Sequence, residues 1–369
     1  MATTSRRQPP ARDAGGGPAP CRCARAERVT GLLIRGKPLD AIRASLEEYC
    51  AVAGRSGPLR RFVLTRYGYG YSLASLAGRN RARLAEVIAL GLIGQAVLVR
   101  LPLSAHRLRV KNSIRVFFER VSSGEPPVTA KIALASEHRS GSLAHEIAAR
   151  RELARATGKR FAIPRILSHD GSETAWFEED FIATDGAGEA DKIGIFLNEV
   201  AATMYRHGLA RASLTEALAL TGTRSEDLEA LRDLPPATRS FGEAAVTVSR
   251  IHGDLAPANM ILGRDGRLYM IDWELSGLAP VAWDLKKFFA YDRAGTLRLL
   301  DELTRPGDAG ARDQMRLALC CQLAGLRRDR DKRFAYLTSN RNKSRRAAQA
   351  MIAKQEKELL AWITELARP

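Results

Sequence analysis

Apolar and polar residues alternate along two segments near the middle of the chain, which predicts a small antiparallel sheet. The first run is Ile114–Phe118. The second, Val128–Leu134, alternates around a single lysine, Lys131, and follows a Gly-Glu-Pro-Pro turn. A period of two is typical of strands, and two such runs joined by a turn favour an antiparallel pair.

Beyond these strands the spacing of apolar residues becomes helical. Residues 142–157 place Leu143, Ile147 and Leu153 on one face, and Trp176–Ile182 follows as an apolar segment with an acidic centre. Apolar residues at intervals of three and four predict amphipathic helices. Further helices are predicted at 193–208, 214–231 and 311–326, with a basic C-terminal helix from about 342 to 366. The order of strands first and helices second predicts an α+β fold.

The first hundred residues give a weaker pattern. Residues 1–27 are rich in Pro, Gly and Arg without an apolar period, which predicts a disordered basic tail. Residues 28–103 form an N-terminal extension of unknown role, with helical spacing at 39–52 and 79–92 and an aromatic turn at 67–71.

One loop-rich segment interrupts the helical half and carries the candidate chemistry. It reads IHGDLAPANMIL at 251–262, then a turn, then LYMIDWE at 268–274. Asp254 and Asn259 lie five residues apart in a loop that Pro257 bends, and Asp272 ends the returning strand. Phosphoryl transfer needs a carboxylate to orient the attacking hydroxyl and oxygen ligands for Mg²⁺, which these residues supply. Taken alone, an ordinary aspartate-rich hairpin is the alternative.

The same motif, together with Trp283-Asp284-Leu285, resembles the aminoglycoside phosphotransferase and choline kinase family of the protein-kinase-like superfamily. The resemblance implies a two-lobed fold with a small antiparallel-sheet N-lobe and a mainly helical C-lobe. It also implies that Asp254 positions the substrate hydroxyl and that Asn259 and Asp272 bind the metal. His252 and Asp284 would support the catalytic loop.

The family also needs an N-lobe lysine that contacts the nucleotide phosphates and a helix glutamate that holds it. Lys131 and Glu146 fit these positions, and a solvated lysine–glutamate pair is the alternative. Glu179 and Phe181 are expected at the hinge that binds adenine. The resemblance places the N-lobe and hinge at 104–182 and the C-lobe at 183–369. The chain departs from the family pattern at the turn that covers the phosphates, which is usually rich in Gly or Ser. Gly124 is the only glycine between Leu101 and Lys131, and Ser104, Asn112 and Ser113 are the alternative residues for this turn.

The resemblance implies an ATP- and Mg²⁺-dependent phosphotransferase that acts on the hydroxyl of a small molecule, such as a sugar, an amino alcohol, an antibiotic or a cell-surface precursor. The alternative is a non-catalytic kinase-like module that binds a polyanion or a protein through the basic region 327–346. Neither a Walker-type phosphate loop nor a zinc motif is present in the sequence.

The position of the positive charges along the chain bears on which partners are expected. The net charge of +17 comes from 58 Lys and Arg against 41 Asp and Glu, and about two thirds of the excess lies in residues 1–26 and 327–346. Nucleic acid is therefore not the expected partner, and the basic flanks leave open a peripheral contact with an anionic membrane. Five cysteines without a disulfide pattern and no secretory signal favour the cytoplasm.

Overall fold

The computed structural model describes most of the chain from Leu39 onward. The described residues are 39–53, 59–67, 70–75, 89, 92, 96–102, 104–110, 113–118, 127–134, 142–170, 175–184, 186–239, 241–340 and 343–368. The predicted disordered tail at 1–27 lies outside the described residues, and so does most of the predicted helix at 79–92.

The described strands alternate with few helices in the first half of the chain. They are β1 Leu59–Tyr67, β2 Gly70–Ser75, β3 Ala96–Pro102, β4 Ala105–Val110, β5 Ser113–Phe118, β6 Val128–Ala133, β7 Phe161–Ala162, β8 Ile166–His169, β9 Trp176–Asp180, β10 Ala210–Ala212, β11 Val246–Ile251, β12 Met260–Leu262, β13 Leu268–Met270 and β14 Gly277–Pro280.

Helices dominate the second half. They are α1 Leu39–Val52, α2 Ser142–Leu153, α3 Glu189–Ile195, α4 Ala201–Arg206, α5 Leu214–Thr221, α6 Ser225–Glu229, α7 Pro236–Arg239, α8 Val281–Leu285, α9 Arg293–Leu303, α10 Ala311–Arg328, α11 Arg330–Asn340 and α12 Arg345–Leu366. A π-helical turn at Phe196–Val200 joins α3 to α4. No helix in the described part of the chain is long and apolar enough to cross a membrane.

The N-lobe is built on a five-stranded sheet in the order β4-β5-β6-β9-β8, and all its pairs are antiparallel. The predicted strands at 114–118 and 128–134 are its β5 and β6. On β5, Ile114, Val116 and Phe118 are buried while the residues between them are half-buried. This alternation gives the sheet one face toward an apolar core and one face toward the C-lobe.

The N-terminal extension packs into that same core. Its helix α1 begins and ends where the sequence predicts, and its sheet has the order β2-β1-β3. Leu46 of α1 is fully buried in a cluster that also holds Ile114 and Val116. Tyr49 packs against the rings of Phe118 and Trp176. The extension therefore completes the outer side of the N-lobe core.

The C-lobe has a second, larger core formed by helices α3 to α12 and two small sheets. One sheet has the order β10-β11-β14 and the other β12-β13-β7. Strand β11 leads directly into the predicted catalytic loop, and the β12–β13 hairpin carries the chain from that loop to Asp272. The two sheets thus hold the polar segment at the surface that faces the N-lobe.

Some predicted element boundaries were wrong. The helix predicted at 214–231 is broken into α5 and α6, because Gly222 adopts a left-handed conformation that ends α5. The helix predicted at 142–157 is α-helical only to Leu153 and ends as a 3₁₀ turn. The aromatic residues at 67–71 border strands β1 and β2, while residues 68 and 69 of the turn lie outside the described residues.

Candidate active site

Lys131 lies at the centre of β6 and is completely buried. Its Nζ donates to Glu146 Oε2 at 2.5 Å and to Asp272 Oδ1 at 2.6 Å, and Glu274 Oε2 lies 3.4 Å away. Burial would lower the pKa of Lys131, but Asp272, Glu146 and Glu274 raise it above its usual value. The lysine is therefore held in its charged form and joins the two lobes.

Helix α2 supplies the glutamate of this pair. Glu146 is buried, and Arg150, one turn later, approaches its other oxygen at 3.8 Å. Burial would raise the pKa of Glu146, but Lys131 and Arg150 lower it overall. The neighbouring His145 hydrogen-bonds through Nε2 to the Ser276 carbonyl at 2.5 Å. The helix is therefore tied to the segment that follows Asp272.

A buried carboxylate organises the start of the catalytic loop. Asp284, on α8, accepts hydrogen bonds from the backbone N–H groups of His252 at 2.6 Å and Gly253 at 2.9 Å. Gly253 has φ +85°, a conformation that favours glycine. His252 hydrogen-bonds through Nε2 to the Ile271 carbonyl at 2.8 Å. His252 and Asp284 are therefore adjacent at the start of the loop, and their supporting roles stay predictions.

Asp254 and Asn259 are adjacent within this loop. The Asn259 Nδ2 donates to the backbone carbonyl of Asp254 at 2.8 Å, and the Ile271 N–H donates to the Asn259 carbonyl at 3.1 Å. Because its amide nitrogen faces Asp254, the amide oxygen of Asn259 is the atom that can bind a cation. The Asp254 side chain is 53% exposed, and its Oδ1 lies 2.5 Å from Lys287 Nζ.

Asp272 has an unusual backbone and a crowded carboxylate. Its φ of +75° makes it the one residue other than glycine with a left-handed conformation in the described part of the chain. Such conformations cost energy and occur often at functional sites. Arg115 lies 2.9 Å from the same Oδ1 that Lys131 contacts. Burial would raise the pKa of Asp272, but Lys131 and Arg115 hold it well below its usual range.

Three carboxylates converge beside Lys131. Glu146, Asp272 and Glu274 each offer one oxygen, and these oxygens lie within 4.8 Å of one another. Carboxylate oxygens are hard donors of the kind that Mg²⁺ prefers, and Asn259 lies in the adjacent loop, where its carbonyl accepts a hydrogen bond from the Ile271 N–H. The donor chemistry therefore fits a magnesium ion at Asp272.

The two predicted hinge residues differ in their surroundings. Glu179 lies inside β9, between Thr129 of β6 and Ile166 of β8, and its carboxylate pairs with Arg150 at 2.5 Å. Phe181 follows the end of β9, is 37% exposed and contacts the ring of Phe117 edge to face. The open backbone that adenine binding needs is therefore closer to Phe181 than to Glu179, and both assignments stay predictions.

Sequence reasoning missed several residues of the site. Arg115, Glu274 and Lys287 each contact a predicted site residue. Glu274 could have been identified from the sequence, since it lies two residues after Asp272 in the same motif. Arg115 shares a strand face with other half-buried residues, but its partner is 157 positions away in the sequence.

Comparison with known protein families gives one match. The sequence model of the phosphotransferase enzyme family matches residues 111–328, which is more than half of the chain. The match contains Arg115, Lys131 and the whole catalytic segment, and it leaves out the N-terminal extension. No curated protein sequence matches the chain.

Solved structures resemble the chain at low identity. An aminoglycoside phosphotransferase from Alicyclobacillus acidocaldarius is 14% identical, with 72% of this chain and 92% of that chain covered and a TM-score of 0.41. The choline kinase LicA from Streptococcus pneumoniae is 11% identical, with 78% and 100% covered and a TM-score of 0.42. The macrolide 2′-phosphotransferase MphH from Brachybacterium faecium is 14% identical, with 73% and 97% covered and a TM-score of 0.44.

The family match confirms the resemblance that the motifs indicate, and the sheet-rich N-lobe with its helical C-lobe has the expected two-lobed α+β arrangement. The chain therefore belongs to the phosphotransferase enzyme family.

Proposed function

We propose that this enzyme transfers the γ-phosphate of ATP, bound with Mg²⁺, to a hydroxyl of a small molecule. The observation that carries the proposal is the double contact of Lys131 Nζ, 2.5 Å from Glu146 and 2.6 Å from Asp272. A lysine fixed by a helix glutamate beside a metal-binding aspartate is the arrangement that phosphoryl transfer from ATP requires. A buried ion cluster without such a use would be costly to keep.

Asp272 and Asn259 are the proposed magnesium ligands, and Glu274 is a further candidate. Asp272 offers a carboxylate that stays ionised, because Lys131 and Arg115 hold its pKa well below the usual range. When bound, Mg²⁺ neutralises phosphate charge and orients the transferred group. The left-handed backbone at Asp272 fixes where the carboxylate points, so the ligand position is set before the metal binds.

Asp254 is the proposed residue that orients the acceptor hydroxyl. Its carboxylate is half exposed, so an acceptor can reach it, and its backbone carbonyl is held by Asn259. A carboxylate at this point accepts the hydroxyl proton as the new phosphate ester forms. The loop around it is rigid, because Asp284 holds two of its backbone N–H groups.

We propose four classes of hydroxyl compound as the acceptor: a sugar, an amino alcohol, an antibiotic or a cell-surface precursor. Lys287 lies against Asp254, which places a positive charge on the acceptor side of the site. A purely cationic acceptor would be repelled by that ammonium, so neutral acceptors are favoured over polycationic ones. A panel of such hydroxyl compounds, with ADP release as the readout, would distinguish these classes.

Titration of MgATP into the full chain tests the nucleotide site without a known acceptor. We expect the wild type to bind and Asp272→Ala to lose Mg²⁺-dependent binding. Asp301→Ala, an exposed aspartate on α9, is the matched control and should bind as the wild type does. A wild type that binds no nucleotide, or an Asp272→Ala variant that binds with unchanged Mg²⁺ dependence, would contradict the proposal.

A further inference from the structure

Three cations form a row across the N-lobe sheet. In the antiparallel register Arg109 of β4 lies opposite Arg115 of β5, and Arg115 lies opposite Lys131 of β6. Directly opposite residues of antiparallel strands share one face of the sheet. Arg115 and Lys131 both contact Asp272, so this face is the one that meets the C-lobe. We call these three residues the cationic row.

The charges of the row are balanced unevenly. Burial lowers the pKa of Arg115, but Asp272 and the neighbouring glutamates raise it overall, whereas no such carboxylate among the described residues raises the pKa of Arg109. Like charges directly opposite each other on neighbouring strands destabilise a sheet. Partial burial and the nearby Arg107 and Arg115 lower the pKa of Arg109. The acidic cluster offsets the inner end of the row at Asp272, while Arg109 at the outer end is exposed. The outer end of the row is therefore accessible to a further anionic partner.

Arg115 and Lys131 both contact a single oxygen, Oδ1 of Asp272, at 2.9 and 2.6 Å. Lys131 has Glu146 as a second close partner, whereas Asp272 is the ion-pair partner of Arg115 among the described residues. A divalent cation at this oxygen would repel both side chains. Lys131 would remain held by Glu146, but the guanidinium of Arg115 would be free to bind another anion nearby.

The sequence has no glycine-rich turn that could bind the nucleotide phosphates at this position. Kinase-like enzymes cover the nucleotide phosphates with a glycine-rich turn, and no glycine lies between Arg100 and Ser123 in this chain. The forked, permanently charged guanidinium binds phosphate oxygens in a bidentate manner and is suited to replace backbone N–H donors. Arg115 is 14% exposed at its side chain, so little ordering is needed for it to bind.

We propose that the cationic row binds the phosphate chain of the nucleotide in place of a glycine-rich turn, with Arg115 as its central residue and Arg109 at its outer end. The proposal rests on the proposed function, because it assumes that a nucleotide enters this cleft. Arg115 pairs with the Asp272 carboxylate in this structure, and it would bind phosphate oxygens of the nucleotide when Asp272 serves as a magnesium ligand.

The test compares the binding of MgATP, of adenosine and of inorganic tripolyphosphate to the full chain by titration calorimetry. Arg115→Met should weaken MgATP binding about 10- to 100-fold, the loss expected for hydrogen bonds to a charged group, and leave adenosine binding unchanged. The MgATP affinity of Arg115→Lys should lie between those of the wild type and Arg115→Met, because lysine keeps the positive charge but lacks the forked guanidinium. Arg109→Met should weaken MgATP binding about two- to five-fold, as for an exposed charge.

Arg206→Met is the matched control, since Arg206 is an exposed arginine paired with Glu302 in the C-lobe. It should leave all three dissociation constants unchanged. Tripolyphosphate should raise the thermal unfolding midpoint of the wild type and not that of Arg115→Met.

Unchanged MgATP binding in Arg115→Met would overturn the proposal, and so would an equal loss for adenosine and MgATP, which would mark a structural role. If the wild type binds none of the three ligands, the proposed function fails together with this inference. If the wild type binds MgATP and the Arg115→Met and Arg109→Met variants bind it with the same dissociation constant as the Arg206→Met control, this inference fails and the proposed function stands.

Discussion

Two lysine–carboxylate pairs of equal length lie on the two sides of the cleft. Lys131 and Glu146 in the N-lobe are 2.5 Å apart, and so are Lys287 and Asp254 in the C-lobe. The first pair is completely buried, with side-chain exposures of 0% and 1%, whereas the second is 40% and 53% exposed. Distance alone therefore does not decide what a pair does, because burial sets both its energetic weight and its access to substrate.

The difference in burial gives the two pairs different roles: one supports the fold, and the other leaves a carboxylate exposed. The buried pair fixes α2 against β6 and aims a permanent charge at Asp272. The exposed pair leaves Asp254 accessible to solvent, as its proposed role toward an acceptor requires, and the hydrogen bonds of Asp284 hold the loop backbone on that side of the cleft. Each of the following experiments distinguishes the contribution of the buried pair from that of the exposed pair.

The largest effect is expected from removing the exposed carboxylate. Asp254→Ala should lower kcat by a factor on the order of 10² to 10⁴, because assistance to the hydroxyl proton is lost. The thermal midpoint and the affinity for MgATP should stay close to those of the wild type, since Asp254 is half exposed. The measurement is ADP release with an acceptor identified from the hydroxyl panel.

Asp301→Ala is the control and should retain wild-type kcat. An Asp254→Ala variant with unchanged turnover would remove Asp254 from the catalytic centre and leave the C-lobe pair as a surface feature.

The second effect concerns stability and the buried pair. Glu146→Gln should lower the free energy of unfolding by about 3 kcal/mol, because a buried lysine loses one of its charged partners. Asp272 still contacts Lys131, so we expect the lower end of the usual range. Urea unfolding followed by circular dichroism gives the measurement.

Glu199→Gln provides a matched control, because Glu199 pairs with Arg160 at the same 2.5 Å and is 39% exposed. This control should leave the free energy of unfolding close to that of the wild type, because both side chains are hydrated. Equal losses in the two variants would show that burial does not separate these pairs.

The sequence predicts the C-lobe side of the cleft better than the N-lobe side, for a physical reason. His252, Asp254, Asn259, Asp272 and Asp284 lie within 33 consecutive residues, so local turns and one hairpin bring them together. Contacts of this kind depend on spacing, which a sequence shows directly.

The N-lobe side depends on contacts between distant segments. Lys131 meets Asp272 across 141 residues, and the sequence pointed to that contact only through a family resemblance. The alternation on β5 separates Arg115 from the apolar face, yet nothing local indicates that Asp272 is its partner. The sheet at 59–102 was missed for a related reason, because Arg60, Arg61 and Arg66 interrupt the apolar pattern of β1.

A third effect is the pH dependence of the buried pair. The pKa of Glu146 is lowered in the folded protein, so its ionised form stabilises the fold above the ordinary glutamate pKa of about 4.3. That stabilisation is lost as the pH falls through the lower folded-state pKa. The difference in unfolding free energy between wild type and Glu146→Gln should therefore be constant from neutral pH to about pH 5 and shrink below pH 4.

Urea unfolding at a series of pH values measures this difference. Because Asp272 is present in both proteins, its own depressed pKa contributes to both curves and largely cancels. A difference that grows as the pH falls would have the wrong sign for a carboxylate stabilised in its charged form.

The smallest effect is expected at the exposed pair. Lys287→Met should change the free energy of unfolding by no more than about 1 kcal/mol, because both side chains are hydrated and their attraction is weakened by solvent. The change should disappear at about 1 M salt, where screening acts over about 3 Å. The buried pair is shielded from mobile ions, so the effect of Glu146→Gln should persist under the same conditions. A Lys287→Met variant that loses as much stability as Glu146→Gln, at low and high salt alike, would show that the C-lobe pair also supports the fold and would end the proposed division between the two sides of the cleft.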